Sequence, residues 1–147
     1  PIQPQILLVD DDPDTLQALQ GLLRLRLPHA RINTCYNADS ALQSLQTADY
    51  DAIVSDVRMP GMNGLAFIKE VKRLHPCLSV LIVTAYATQA ITAEAYSAGA
   101  YDLLYKPIDR DAFMLSVMLA IQRTRLSRQA ISGREHGSDE DFEGSSH

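Results

Sequence analysis

Residues 53–61 read IVSDVRMPG, in which a short apolar run ends in a single acid and a turn-rich loop follows. A short apolar run bounded by turn residues is typical of a strand that is buried on both faces, as in a parallel sheet. Three other runs also end in polar residues: ILLVDD at 6–11, VLIVT at 80–84 and LLYKP at 103–107. Because ligands of open α/β sheets bind at the carboxyl ends of the strands, we expect one polar site built from four strand ends.

Strand and helix patterns alternate along the chain. The predicted strands cover residues 5–10, 31–35, 52–55, 80–84 and 101–105, and the predicted helices cover residues 13–25, 38–47, 64–74, 88–98 and 110–129. This alternation is typical of βαβ units with right-handed crossovers and a parallel sheet. We therefore predict an α/β fold of the flavodoxin-like kind, a single doubly wound five-stranded parallel sheet in the order 2-1-3-4-5, flanked by five helices.

The acidity of the chain is concentrated at its end. Residues 131–147 carry five of the 18 acids and one of the 13 bases, which leaves 13 acids against 12 bases in residues 1–130. We expect residues 1–130 to form one domain and residues 131–147 to form an acidic, flexible tail or linker that its composition keeps disordered. The nearly neutral domain does not suggest direct contact with nucleic acid by this segment.

The cysteine and hydropathy patterns indicate the compartment. The two cysteines, Cys35 and Cys77, have neither a disulfide framework nor the spacing of metal ligands. No apolar stretch approaches the length of a membrane span. We therefore expect a cytoplasmic protein that does not contact a membrane.

Considered together, the motifs resemble the response-regulator receiver domain, which is the phospho-acceptor domain of two-component signalling. The resemblance extends from about residue 6 to about residue 129. The residues that carry it appear in the family's order: Asp10-Asp11, an Asp-x-x-Met-Pro-Gly-x-x-Gly stretch from Asp56 to Gly64, Thr84-Ala85 and Lys106-Pro107. Any one of these motifs alone would be weak, but the ordered set on an alternating strand and helix pattern is specific.

The resemblance implies a phosphoryl-transfer role for three side chains. Asp56 would be the nucleophile that accepts a phosphoryl group, because a carboxylate can form an aspartyl phosphate. Lys106 and Thr84 would balance charge on the phosphoryl oxygens, and a cis peptide before Pro107 would aim Lys106 inward. The donor would be a histidine kinase or a phosphotransfer protein. We expect no enzymatic activity beyond self-phosphorylation and self-dephosphorylation at Asp56.

The same resemblance implies a Mg²⁺ site. Asp11 and Asp56 would each give one carboxylate oxygen, the backbone carbonyl of Arg58 would be the third protein ligand, and Asp10 would act through a bound water. Mg²⁺ prefers such oxygen ligands and keeps several of its waters. Three carboxylates close together also repel one another, which favours cation binding and coupled titration.

Structural explanations exist for each residue taken singly. The paired acids could cap a helix, Asp56 could be a turn residue, Thr84 an ordinary strand residue and Lys106 a surface lysine. An alternative function is a receiver-fold interaction module that phosphorylation does not regulate. It is favoured by Leu103, which stands where the family usually has an aromatic residue. The presence of the complete set of acids, threonine and lysine favours the phosphorylated switch.

The last predicted helix has two apolar stripes. Phe113, Val117 and Ile121 form one stripe, which can pack on the sheet. Leu115, Leu119 and Leu126 form a second stripe on nearly the opposite side. One face of the helix must therefore expose apolar surface or meet a partner, and we expect a homodimer or a downstream output domain there.

Overall fold

The computed structural model describes residues 3–59 and 61–145, with side chains as far as residue 133. Its strands are β1 Gln5–Val9, β2 Arg31–Cys35, β3 Ala52–Ser55, β4 Ser79–Thr84 and β5 Asp102–Tyr105. Its helices are α1 Pro13–Arg26, α2 Ala38–Thr47, α3 Gly64–Leu74, α4 Gln89–Ala98 and α5 Arg110–Ser145. All neighbouring strands are parallel and lie in the order β2-β1-β3-β4-β5, which confirms the predicted fold.

The sheet separates two hydrophobic layers. Because successive side chains of a strand point to opposite faces, Leu7 joins the layer beneath α2, α3 and α4, whereas Leu8 joins the layer beneath α1 and α5. Phe67 of α3 and Phe113 of α5 are fully buried on the two sides. The central strands β1, β3 and β4 are thus covered on both faces, so they can present polar groups mainly at their ends.

Polar N-cap residues mark the starts of two helices that follow strands of the sheet. Asp12 caps α1 by accepting from the amide of Asp14, and Pro13 follows in the first helical turn. Asn63 caps α3 through the amide of Ala66. Gly99 ends α4 with a φ of +113°, a left-handed conformation that suits glycine. These local signals fix where α1 and α3 begin and where α4 ends.

Helix α5 differs most from its predicted extent. The sequence pattern predicts a helix that ends at residue 129 and a flexible tail from residue 131, whereas the structure continues the helix to Ser145. That segment contains no proline, and extending an existing helix fixes only one residue for each new hydrogen bond. Its proposed role as a linker stays a prediction. The other element ends differ from the predicted ones by one residue at most.

Asp51 fastens α5 to the amino end of the sheet. This acid stands directly before β3 and is 8% exposed. One carboxylate oxygen accepts from the amide of Gln5 at 2.9 Å, and the guanidinium groups of Arg125 and Arg128 lie 3.4 Å from the carboxylate. Arg128 also donates to the carbonyl of Tyr50 at 2.7 Å. The two arginines therefore compensate one buried carboxylate.

Two expectations concern the whole chain. Within residues 3–59 and 61–145, no helix has both the length and the apolar character that crossing a membrane requires. Cys35 and Cys77 are both free, in agreement with the prediction that they form no disulfide framework.

Candidate functional site

A cavity of about 550 Å³ opens at the carboxyl end of the sheet. The structure brings most of the predicted site residues to its walls, namely Asp10, Asp11, Asp56, Arg58 and Lys106. The register of the strands explains this convergence. Val9 pairs with Ser55, so the acids that follow them leave β1 and β3 side by side. Thr84 pairs with Tyr105, which places Lys106 beyond the end of β4.

Lys106 is shared by two buried carboxylates. Its Nζ lies 3.1 Å from Oδ2 of Asp10 and 3.1 Å from Oδ2 of Asp56, and both acids are at most 5% exposed. The peptide bond between Lys106 and Pro107 is cis, as the resemblance implied. One partly exposed ammonium thus faces two buried carboxylates at the wall of the cavity.

The pKa shifts follow from this shared charge. Burial raises the pKa of Asp10 above its ordinary value, although the amide of Asp12 and the ammonium of Lys106 oppose the rise. Burial alone would lower the pKa of Lys106, but hydrogen bonding and the charges of Asp56 and Asp10 outweigh it, so its pKa is raised. The lysine therefore stays charged, while the carboxylates remain short of positive charge.

Hydrogen bonds connect the two ends of the loop that follows Asp56. Oδ1 of Asp56 accepts from the amide of Arg58 at 3.2 Å, and the carbonyl of Val57 accepts from the amide of Gly64 at 2.8 Å. A Cβ added at Gly64 would lie 2.5 Å from the carbonyl oxygen of Asp56, so no larger residue fits without displacing the loop. The start of α3 and the Asp56 backbone consequently form one packed unit.

Thr84 is close to the cavity but does not line it. Its side chain is fully buried, and its Oγ1 accepts from the amide of Tyr86 at 3.1 Å. Ala85 and Tyr86 line the cavity instead. The hydroxyl keeps its own proton for another acceptor, but it must turn or move to reach the space beside Asp56.

Arg58 and Tyr86 form a contact that the sequence analysis did not predict. The guanidinium carbon of Arg58 lies 3.6 Å from the centre of the Tyr86 ring, a cation–π geometry. Both side chains line the cavity. Each residue lies two positions beyond a predicted site residue, Asp56 or Thr84, and this shared offset was the available signal. The pair forms part of the rim through which a ligand would enter.

Leu103 is buried among apolar side chains. It is 6% exposed and joins the same layer as Ala95 and Ala98 of α4. Asp102 before it accepts from the hydroxyl of Tyr96 at 3.2 Å and from the hydroxyl of Ser116 at 2.8 Å. The β5 strand therefore connects α4 and α5 through a carboxylate, beside the position where the family usually has an aromatic ring.

The acids do not form a complete metal shell by themselves. Among the described residues, no three His, Cys, Asp or Glu side chains are arranged to hold a metal ion. Asp11 is exposed, and the oxygens of Asp10 and Asp56 face the Lys106 ammonium and backbone amides. This donor set fits a cation that keeps part of its water shell, such as Mg²⁺, better than a cation that needs four protein ligands.

Two curated bacterial proteins are similar in sequence to this chain. The transcriptional regulatory protein ZraR of Klebsiella oxytoca is 37% identical over 130 residues, which are 88% of this chain and 29% of that protein. The DNA-binding transcriptional regulator NtrC of Escherichia coli K12 is 34% identical over 139 residues, which are 93% of this chain and 29% of that protein. The chain therefore spans less than a third of the length of these curated relatives.

A solved structure and a family model match the same region. The signal receiver domain of an HD domain-containing protein from Pseudomonas fluorescens Pf-5 is 27% identical, with a TM-score of 0.81 over 86% of this chain and 93% of that chain. The model of the response regulator receiver domain matches residues 6–118, from β1 into α5. The polar cavity at the carboxyl end of the sheet and these matches lead to one conclusion: the chain belongs to the response regulator receiver domain family.

Proposed function

We propose that Asp56 accepts a phosphoryl group from a histidine kinase or phosphotransfer protein in a Mg²⁺-dependent reaction, and that this modification switches the domain. The observation that carries the proposal is the position of Lys106 between Asp10 and Asp56, at 3.1 Å from each. A buried carboxylate beside a fixed cation and further acids suits a nucleophile whose product carries additional negative charge.

Mg²⁺ would be held by oxygen atoms at the acidic side of the cavity. Asp11 and Asp56 would contribute carboxylate oxygens, Arg58 its backbone carbonyl, and Asp10 would act through a water. When bound, Mg²⁺ would neutralise charge on the phosphoryl oxygens. The exposure of Asp11 supports this assignment because its side chain is free to turn toward an arriving ion.

The transfer itself would exchange one bond for another. A carboxylate oxygen of Asp56 would form a P–O bond while the P–N bond of a phosphohistidine on the donor breaks, and the leaving imidazole would take up a proton. Because the transition state is loose, positioning and charge neutralisation supply most of the catalysis. Lys106 is already within hydrogen-bonding distance of Asp56 and would contact a phosphoryl oxygen.

Thr84 would report the modification to the rest of the fold. Its hydroxyl accepts from the amide of Tyr86 before phosphorylation and would donate to a phosphoryl oxygen afterwards. That movement would shift the segment that leads into α4 and bias an existing equilibrium between two conformations. Leu103 cannot act as a turning aromatic ring, so we propose that the shift passes through the segment from Thr84 to Tyr96.

The exposed stripe of α5 would carry the output. Leu115, Leu119 and Leu126 are 60%, 42% and 55% exposed, so the second apolar face has no cover within the described residues. We propose that this face meets either a second copy of the chain or a downstream domain. The relatives ZraR and NtrC are longer than the matched region and therefore have room for such a domain. The protein would act in the cytoplasm. Sedimentation that shows a strict monomer at high concentration, with or without phosphorylation, would count against the dimer.

The decisive experiment is intact-protein mass spectrometry after incubation with a small phosphodonor and Mg²⁺. We expect one phosphoryl adduct in the wild type, no adduct without Mg²⁺, and none in Asp56→Asn. Asp51→Asn is a matched control, because it removes a buried carboxylate at the opposite end of the same strand and should retain the adduct.

The same experiment distinguishes the alternative function. A folded wild type that binds Mg²⁺ but gives no adduct would favour an interaction module that phosphorylation does not regulate. In that case the exposed face of α5 would be the first surface to examine. An adduct that persists in Asp56→Asn would place the acceptor at another residue and contradict the assignment.

A further inference from the structure

A second polar cavity, of about 190 Å³, lies at the amino end of the sheet, opposite Asp56. It is bounded by the end of α3, the segments that lead into β4 and β5, and the middle of α5. Its polar lining comes from Lys72, Cys77, Ser79, Tyr101, Arg123 and Ser127. Among the described residues, none of those that line this cavity is acidic.

Lys72 is a fixed cation in this cavity. Its Nζ donates to the carbonyl of Pro76 at 2.8 Å and to the carbonyl of Leu78 at 3.0 Å. Its stem packs on Gly99, where an added Cβ would lie 2.8 Å from Cγ of the lysine. An ammonium has three N–H donors, so these two carbonyls leave one donor for a further acceptor.

Arg123 adds a second positive charge. Its guanidinium lies 5.7 Å from the centre of the Tyr101 ring, and no ion pair joins Arg123 or Lys72 to a carboxylate within the described side chains. Burial lowers the pKa of Lys72, and the charge of Arg123 lowers it further, although the nearby thiol of Cys77 acts in the opposite sense. Two like charges therefore share a cavity without a counterion.

Ser79 presents an unused hydroxyl to the same space. The residue is 4% exposed, and its backbone amide donates to Oγ1 of Thr124 at 3.0 Å. Its own hydroxyl has no hydrogen-bond partner among the residues that the structure describes, yet it is not sealed from the cavity. Because this hydroxyl is open to the cavity, it is available to hydrogen-bond a group that enters there.

We propose that this cavity binds a small oxyanion of the phosphate class, either as a free ion or as the phosphoryl group of a larger molecule. Lys72 and Arg123 supply charge, and Ser79 donates its hydroxyl. A cavity of 190 Å³ has the volume of roughly six liquid waters, which is sufficient for a four-oxygen anion. An anion would neutralise the like charges and satisfy the unused hydroxyl, and neither effect depends on Asp56.

The experiment is an NMR titration of the ¹⁵N-labelled chain without Mg²⁺ or phosphodonor. Inorganic phosphate, sulfate and glycerol phosphate are added separately, and chloride at matched ionic strength is the reference. We expect saturable shifts of the amides of Gly99, Ala100 and Tyr101. Arg123→Gln should weaken binding by about tenfold, the loss of one charge-assisted hydrogen bond.

The variants distinguish a site from general attraction. Ser79→Ala should weaken binding while the fold persists, because its hydroxyl holds no partner that folding needs. Arg24→Gln removes the same charge from an exposed position on α1 and should leave binding unchanged. Binding of phosphate or sulfate would support a free-ion site, and binding of glycerol phosphate alone would support a carried phosphoryl group. Shifts that chloride reproduces, or that Arg123→Gln leaves intact, would overturn the proposal.

Discussion

The two ends of β3 carry buried acids in opposite electrostatic situations. Asp51, before the strand, is met by two arginines and a backbone amide. Asp56, after the strand, shares the single ammonium of Lys106 with Asp10. A buried carboxylate that has its own partners fastens the structure, whereas one that lacks positive charge is prepared to receive a cation or a ligand. The number of positive charges around each carboxylate therefore distinguishes the structural acid Asp51 from the candidate site acid Asp56.

The largest expected loss of stability comes from removing the Asp51 carboxylate at the amino end of the sheet. Asp51→Ala leaves two guanidinium groups without their carboxylate and frees the amide of Gln5. Because the arginines are 34% and 39% exposed, we expect a loss of about 2–4 kcal/mol in the free energy of unfolding, below the full cost of a buried pair. Urea denaturation measures this loss.

An exposed ion pair is the control for that prediction. Arg26 and Asp111 lie 3.4 Å apart with side chains that are 62% and 89% exposed. Arg26→Ala should therefore change stability by less than about 1 kcal/mol. If the two variants lost equal stability, Asp51 would not be a special fastening point.

A second variant tests the amino end without removing a charge. Thr124 is fully buried, and its Oγ1 accepts from the amide of Ser79. Thr124→Val keeps the shape but leaves that amide unsatisfied, so we expect a loss of about 1–3 kcal/mol. Thr47→Val, at an exposed hydroxyl on α2, is the comparison and should be nearly neutral. Thermal unfolding of both variants would show whether the buried bond matters.

Mg²⁺ should stabilise the carboxyl end alone. A ligand that binds only the folded state at ten times its dissociation constant adds about 1.4 kcal/mol. We expect this gain in the wild type and in Asp51→Asn, and its loss in Asp11→Asn. Thermal melts with and without Mg²⁺ measure it. An undiminished gain in Asp11→Asn would move the ion away from the predicted ligands.

The smallest effect concerns Asp10 in the absence of Mg²⁺. Its pKa is raised by burial, so the folded state binds a proton more readily than the unfolded chain does. Asp10 therefore makes the folded state less stable as the pH rises through and above 3.8, the ordinary pKa of an aspartate carboxyl. Asp10→Asn should lack that decrease and be slightly more stable than the wild type at neutral pH. Melts across pH 3 to 8 in a chelator would detect the difference, and a less stable Asn variant would contradict it.

The site residues at the carboxyl end of the sheet could be predicted from the sequence because the signals for them are local. Asp10, Asp56 and Lys106 each follow an apolar run closely, and parallel strands bring such positions to one edge. The orientation of Thr84 could not be obtained in this way. Its hydroxyl is held by a backbone amide two residues further on, a choice that depends on the conformation of the loop.

The amino end gave no comparable signal. Asp51 meets its arginines across 74 and 77 residues, and on sequence alone Arg125 and Arg128 resemble an ordinary solvated helix face. The extent of α5 was also missed, because a polar composition indicated a tail where the structure continues the helix to Ser145. Ion pairs between distant residues and the length of a helix both depend on contacts in the folded protein. The hydrophobic periodicity of the sequence carries no information about these contacts.

The contact of Gly64 with the Asp56 backbone determines where this protein can accumulate change. A side chain at position 64 would push directly on the backbone of Asp56 and Val57, so a larger residue there would displace that backbone. Arg58 and Tyr86 instead contact each other through their side chains at the rim of the cavity. Under the function proposed above, substitutions at this pair would therefore alter the entrance to the cavity while the backbone at Asp56 stayed the same.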